Sequence, residues 1–313
     1  MTSRTESQLA SAVLMIRPAR FESNPLTAES NRFQGRQHSS PEQQQIKAVT
    51  EFEAVRGLLE DSGIRVVCVA DTPEPHTPDS IFPNNWVSFH ADGRVVLYPM
   101  EALNRRTERR RDVIECLSRD HGYRVTEIID LSGHENAGHY LEGTGSMVLD
   151  RVNRVAYAAL SSRTHPEVLG DFAQRLDYDV VAFDARDSNG IPVYHSNVLM
   201  NIGQSLAVIC AEAIVQQEQR DAVLKRLHKS GKEVLLLSLI QMNAFAGNML
   251  ELRSAGGECL IAMSRRARDS LSGAQLAIIE QHARPVFAGI DNIEDSAGGS
   301  VRCMLAEIHL PRA

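Results

Sequence analysis

The sequence has 313 residues, 43% of them apolar and 23% charged, with a formal net charge of −7. That is chain enough for one large domain or two ordinary ones, and a net negative charge without a concentrated basic footprint speaks against a nucleic-acid partner. No stretch approaches the roughly 20 apolar residues of a membrane span, and the amino terminus has no apolar signal core behind a basic start, so the expected location is the cytoplasm.

In chain order, "VLMIRP" reads as an opening strand that carries Arg17. Helical periodicity then recurs over residues 43–63, 104–122, 165–177, 219–231 and 264–282. Three of these stretches stop at glycine (Gly63, Gly122, Gly231), the residue that most easily takes the left-handed terminating conformation. The basic run "RRTERRR", from Arg105 to Arg111, is read as a solvated face of the second helix.

Each helix is followed at once by a short β-rich run, at residues 64–70, 123–131, 178–185, 232–240 and 284–290. Further strands come next, as in "WVSFHADGRVVLYPM", where Asp92-Gly93 supplies a hairpin turn. The helices recur at a spacing of roughly 50 to 60 residues, the range of propellers and arrays. The rhythm predicts a single domain over residues 1–313, an α/β propeller of five helix-plus-three-strand units around a pseudo-fivefold axis.

One phase of the repeat, where a turn meets a strand, carries "PDSIFPNNW", "HYLEGTGSM", "VYHSNVLM", "FAGNMLEL" and "GGSVRCMLAEI". A fivefold arrangement would therefore bring Asn85, Glu142, His195, Asn248 and Cys303 to one central cavity. Cys303 is read at the mouth of the last strand, behind Gly298 and Gly299, where its thiol can face that cavity. The other four of the five cysteines (Cys68, Cys116, Cys210, Cys259) are read as small hydrophobes. With no Cys-x-x-Cys pair, neither a disulfide framework nor a zinc site is suggested. The histidines other than His195 look scattered, so no metal and no cofactor is expected.

A cysteine and a histidine joined by the fold are the ingredients of covalent catalysis. A free thiol is mostly protonated at neutral pH, so a neighbour must help it ionise. His195 is placed to do so and to carry protons to a leaving amine. Glu142 can hold the imidazole or accept from substrate N–H groups.

The segments "VLMIRP", "DSIFPNNW", "LEGTGSMV", "SSRTH", "HSNVLM" and "GGSVRCMLAEI" resemble those of the guanidino-group-modifying enzymes, in order and over nearly the whole chain. These pentein enzymes include arginine deiminases, dimethylarginine dimethylaminohydrolases, succinylarginine dihydrolases and amidinotransferases. The likeness is greatest to the bacterial branch labelled amidinotransferase and linked to citrulline hydrolysis. It implies the five-bladed propeller, Cys303 as nucleophile, His195 as general acid/base and Glu142 as its carboxylate. It further implies substrate contacts at Arg163 (to an α-carboxylate), Asp79, Asn85, Asn197 and, more weakly, Arg17.

Two departures matter. The resemblance implies an aspartate in deiminases where this chain has Asn85, and a His-x-Asp where it has His195-Ser196-Asn197. Both remove negative charge from the place of a guanidinium. The expected substrate is therefore a ureido amino acid, citrulline, whose carbonyl oxygen wants a donor, cleaved to ornithine, ammonia and carbon dioxide. The alternatives are an arginine or methylarginine deiminase or dihydrolase, an amidinotransferase, or a propeller that only binds. The expected partner is a small amino-acid substrate, not nucleic acid or membrane, and homo-oligomerisation is left open.

Overall fold

The computed structural model describes residues 6–28, 30–35 and 40–312. The chain enters on β1 (Ala12–Arg17), crosses through a helix (Pro41–Asp61) and lays β2 (Arg65–Ala70) parallel to β1. A parallel neighbour requires such a crossover, whereas an antiparallel one needs only a turn, and each later sheet uses one of each. The hairpin of β3 (Val87–Phe89) and β4 (Arg94–Leu97) is followed by a helix (Arg111–Arg119) and β5 (Glu127–Asp130), parallel to β4.

The pattern repeats in β6 (Val148–Asp150), β7 (Val155–Ala159) and β8 (Asp179–Phe183) around the helix Pro166–Leu176. It repeats in β9 (Met200–Ile202), β10 (Leu206–Ile209) and β11 (Glu233–Leu236) around Gln217–Lys229. The next sheet holds β12 (Leu250–Arg253), β13 (Cys259–Ser264) and β14 (Arg284–Ala288). Finally β15 (Ala306–Glu307) returns antiparallel to β1 and completes the first sheet. Among the described residues there are five three-stranded sheets, the pseudo-fivefold α/β propeller expected from the rhythm. The sequence unit counted from its helix straddles two sheets, because each middle strand precedes the helix that its outer partner follows.

The helices cover the sheets with apolar faces. Ala48, Phe52, Val55 and Leu59, spaced by three or four residues, are buried in one cluster with Ile64, Val286 and Ile293, each large side chain contributing about 1.5–3 kcal/mol. Ser40 caps this helix reciprocally with Gln43, and Gly63, Gly122 and Gly231 take the left-handed conformation just beyond three helix ends.

Two expected helices differ. Residues 104–122 divide into a 3-10 turn (Leu103–Glu108) and a helix (Arg111–Arg119), and residues 264–282 break where Ser272 caps a second helix, Gly273–His282. The basic run is not a solvated face: Arg105 is buried, Arg106 and Arg109 pair with Glu135, and Arg110 pairs with Asp112. A 3-10 turn repeats every three residues, so Ala102, Arg105 and Glu108 point inward together.

A short turn precedes the inner strand of every sheet: Pro83–Asn85 before β3, Gly143–Ser146 before β6, Ser196–Leu199 before β9, residues 245–248 before β12 and Val301–Met304 before β15. These turns pack side by side at one end of the propeller. Cys303 therefore lies on a turn, two residues short of the final strand and not within it.

Candidate active site

The turns approach so closely that side chains must be omitted from some positions. A Cβ on Gly143 would lie 2.3 Å from the Asn84 carbonyl oxygen, and one on Gly145 would lie 2.4 Å from Asn85 Nδ2 and 2.8 Å from His195 Nδ1. Glycine at 145 is what lets the Asn85 amide and the imidazole come together.

Glu142 is fully buried at the start of its turn. Its Oε2 accepts from His195 Nε2 at 2.9 Å and faces Arg163 Nη1 at 3.4 Å and Arg105 Nη1 at 3.7 Å, while Oε1 accepts from the Glu101 amide at 3.1 Å. Burial alone would raise its pKa. The Arg163 charge, the His195 hydrogen bond and the Arg105 charge outweigh burial and hold Glu142 well below the usual carboxylate range. An ionised carboxylate only accepts, so the hydrogen of the neutral imidazole sits on Nε2 and Nδ1 keeps its lone pair as a base. Burial pushes His195 down to about 4 against the pull of Glu142, with Arg163 and Arg105 acting in the same direction as burial. The ring is neutral at pH 7.

Cys303 Sγ is buried between two amides, 3.3 Å from Asn248 Nδ2 and 3.5 Å from Asn197 Nδ2. Asn248 Oδ1 accepts from the Arg302 amide at 3.0 Å, which turns its NH2 toward the sulfur. Two N–H donors aimed at one sulfur are the arrangement that solvates a thiolate.

Cys303 and His195 line one small cavity with Asp79, Asn85, Arg105, Arg163 and Tyr194, walled on its apolar side by Phe82. A larger surface groove, lined by Ser11, Arg65, Tyr123 and Arg312, contains none of these groups. Asn85 Oδ1 accepts from Arg105 Nη1 at 3.0 Å, so the amide is oriented with Nδ2 beside the imidazole. Asp79 Oδ2 accepts from Asn24 Nδ2 at 2.7 Å, but its buried Oδ1 has no hydrogen-bond partner. Arg163 donates through Nη2 to Ser30 Oγ at 2.7 Å and lies over the Tyr194 ring.

Seven of the eight residues expected from the sequence come together: Cys303, His195, Glu142, Asn85, Asp79, Arg163 and Asn197. Arg17 does not. It ends β1 on the exterior, 44% exposed and paired with Glu53 at 2.7 Å, because the strand that begins in the core runs out to the surface there. Residues 24–28 and 30–35 lie against the cavity, as Asn31 lines it and Asn24 and Ser30 bond its residues. Sequence reasoning missed Arg105 as a site residue, although Glu108 three positions on offered a signal. Arg105 donates to both oxygens of Glu108 at 2.9 Å, and its own charge is stabilised by Glu108, Asp79 and Glu142 despite burial. The histidines are not all scattered either, since His134, His139 and His165 gather on the surface beside Glu167 and Asp171.

A family model described as N,N dimethylarginine dimethylhydrolase, eukaryotic, matches residues 17–310. No curated protein matches in sequence. Among solved structures, ArgZ, an arginine dihydrolase from the ornithine-ammonia cycle in Cyanobacteria, superposes with a TM-score of 0.72 at 18% identity, covering 96% of this chain and 41% of ArgZ. The N-terminal domain of ArgZ bound to substrate gives 0.71 at 18% identity and is covered over 99% of its length, for 96% of this chain. The chain thus spans about two fifths of full-length ArgZ. A dimethylarginine dimethylaminohydrolase in an adduct with S-methyl-L-thiocitrulline gives 0.64 at 14% identity, covering 95% of this chain and 99% of that one. At these identities the likeness to the solved structures speaks for the fold.

Proposed function

The chain belongs to the family described as N,N dimethylarginine dimethylhydrolase, eukaryotic, among the pentein guanidino-modifying enzymes, and from that premise we propose a single-domain, metal-independent cysteine hydrolase that converts arginine to ornithine, two ammonia and carbon dioxide. Arginine takes precedence over the citrulline expected from sequence, which becomes the intermediate. The observation that carries this order is Asp79 on the cavity wall, whose buried Oδ1 has no hydrogen-bond partner. It calls for a substrate N–H, and a guanidinium offers only donors.

In this reading Arg163 exchanges Ser30 for the substrate α-carboxylate. Cys303 gives its thiol proton to His195 Nδ1 as Sγ attacks the guanidinium carbon, and the imidazolium passes that proton to the ammonia that leaves as a terminal C–N bond breaks. Water that gives its proton to His195 Nδ1 then attacks the same carbon and breaks the C–S bond, yielding citrulline and the thiol. In a second round Sγ attacks the ureido carbon, the ornithine amine leaves, and water releases the S-carbamoyl group as carbamate, which falls to ammonia and carbon dioxide. The Asn85 Nδ2 donor suits the ureido oxygen of that round, and the Glu142 carboxylate holds the imidazole tautomer throughout.

Support for the dihydrolase reading over a deiminase comes from the neutral Asn85 and from the likeness to the substrate-bound ArgZ domain. The test is to incubate the protein separately with arginine, citrulline, dimethylarginine and agmatine while assaying ammonia, citrulline and ornithine. Two ammonia per ornithine from arginine, with citrulline as a transient, are expected. Accumulation of citrulline without ornithine would make it a deiminase, and no turnover of any of the four would sink the proposal.

A further inference from the structure

On the outer surface, one nitrogen each from His134 and His139 and an oxygen of Glu167 lie within 4.8 Å of one another. Two segments far apart in function meet there. His134 and His139 belong to the stretch that leads into Glu142, and Glu167 opens the helix Pro166–Leu176, just after Arg163.

The surroundings are those of a prepared ligand set. Asp171 Oδ2 sits 3.0 Å from His134 Nε2, so the outer carboxylate that orients a ligating imidazole and leaves its other nitrogen free is in place. His139 is stacked on His165 with ring centroids 3.6 Å apart and planes 7° from parallel, which fixes its ring. His139 Nδ1 is shielded from solvent and lies 3.1 Å from Glu167 Oε2, yet it makes no hydrogen bond. A shielded imidazole nitrogen facing a carboxylate without a shared hydrogen is what a metal between them would satisfy. His134 and Asp171 also line an open cleft, which gives an ion a way in.

We propose that His134, His139 and Glu167 bind a Zn2+ ion, with water completing the coordination. The ion is separate from the thiol chemistry. The backbone tells what it does: the His165 amide donates to the Tyr140 carbonyl at 2.7 Å, and the Glu142 amide donates to the Arg163 carbonyl at 3.2 Å. Zinc joining His139 to Glu167 clasps the outer end of this strand pair, whose inner end carries Glu142 and Arg163.

The probe is Zn2+ itself, added to chelator-stripped Cys303→Ala protein so that the nucleophilic thiol cannot bind it. Calorimetry should find one tight equivalent, and the melting temperature should rise with zinc, as it does whenever a ligand binds only the folded chain. His139→Gln and Glu167→Gln should each weaken binding at least about tenfold and abolish the zinc-dependent rise. Glu167 is exposed, so its substitution keeps the zinc-free melting temperature and separates loss of the site from misfolding. No zinc binding to the Cys303→Ala protein, or an affinity unchanged from that protein's in both glutamine variants, would overturn the proposal.

Discussion

The two ends of the inner strands both bury charge, and they use it differently. At the far end Arg151 donates to Glu6 at 2.9 Å and faces Glu307 at 3.7 Å, while Arg302 donates to Glu307 at 2.8 Å. The amino-terminal stretch closes that end, Gln8 Nε2 donating to the Leu149 and Ile202 carbonyls at 3.0 Å. Glu307, like Glu142, is held well below the usual carboxylate range in spite of burial, here by Arg151 and Arg302. The near end has the same ingredients plus a cavity lined by Asp79, His195 and Cys303, and Asp79 Oδ1 there has no hydrogen-bond partner. Arg302 and Cys303 are adjacent in sequence and serve opposite ends. Buried charge alone therefore marks structure, and buried charge on the wall of a cavity marks chemistry.

The sharpest break in that comparison is Cys303→Ala. No other group can form the covalent intermediate, so turnover of arginine should fall by about 10^4-fold or more while the melting temperature is retained. A variant that keeps a hundredth of the wild-type rate would mean the thiol is not the nucleophile.

Glu142→Gln and Glu307→Gln test the ends against each other. Each removes a charge from a buried network and should cost about 3–5 kcal/mol of stability, because the guanidinium groups left behind are uncompensated. Only Glu142→Gln should also reduce kcat per folded molecule, by about 10^2 to 10^4, since a glutamine can present the imidazole with the wrong hydrogen-bond partner. Denaturant melts paired with active-site-normalised kcat check both. Equal kcat losses at the two ends would erase the distinction.

How much of this was legible beforehand follows from where each signal lives. Periodicity and glycine terminators are local, so the five helices and the repeat could be read, and equal phase in the repeat converted a distant Cys303, His195 and Glu142 into neighbours. Arg105 was hidden because charge patterning presumes a helical period of 3.6, whereas a 3-10 turn repeats every three residues and carries it inward. Arg17 failed for the opposite reason: a strand alternates faces but does not announce which residue leaves the core. The histidine cluster needed the tertiary pairing of residues 140–142 with 163–165, which no local pattern carries.

Asn85→Asp probes the near end's selectivity between two chemical states of one substrate. Arg105 would still have an acceptor, but the donor to the ureido oxygen would become a second acceptor, a loss of about 1–3 kcal/mol or roughly one to two powers of ten in rate. The guanidinium round gains a charge-assisted partner. Arginine turnover should then stop largely at citrulline, with kcat/KM for citrulline divided by that for arginine falling about 10- to 100-fold. An unchanged ratio would show that Asn85 does not read the reacting group.

Acid should separate the ends more gently. His195 in the fold is pushed down to about 4 from an ordinary 6.5, so between those values the unfolded chain binds a proton that the native state refuses. Its contribution is complete above about pH 6.5 and is lost as the pH falls toward 4. His195→Gln should flatten the fall in stability over that window by about one proton, measured as melting temperature against pH. An unaltered slope would place the titrating group elsewhere.

The smallest effect is expected at Arg17, and its smallness is the point. The resemblance put Arg17 with the substrate, yet its guanidinium lies on the exterior, 2.7 Å from Glu53 with both side chains more than two fifths exposed. Exposed pairs of this kind contribute about 0 to 1 kcal/mol because water screens the attraction and two long side chains lose freedom to make it. Arg163, by contrast, lines the cavity and would meet the substrate carboxylate. Arg17→Ala should therefore leave KM for arginine within about twofold and stability within about 1 kcal/mol, while Arg163→Ala should raise KM by at least about tenfold, the worth of a charge-assisted hydrogen bond. A KM that rises for Arg17→Ala as it does for Arg163→Ala would require the amino-terminal strand to reach the substrate in a conformation other than this one, and the division between a closed scaffold and an open cavity would have to be redrawn at β1.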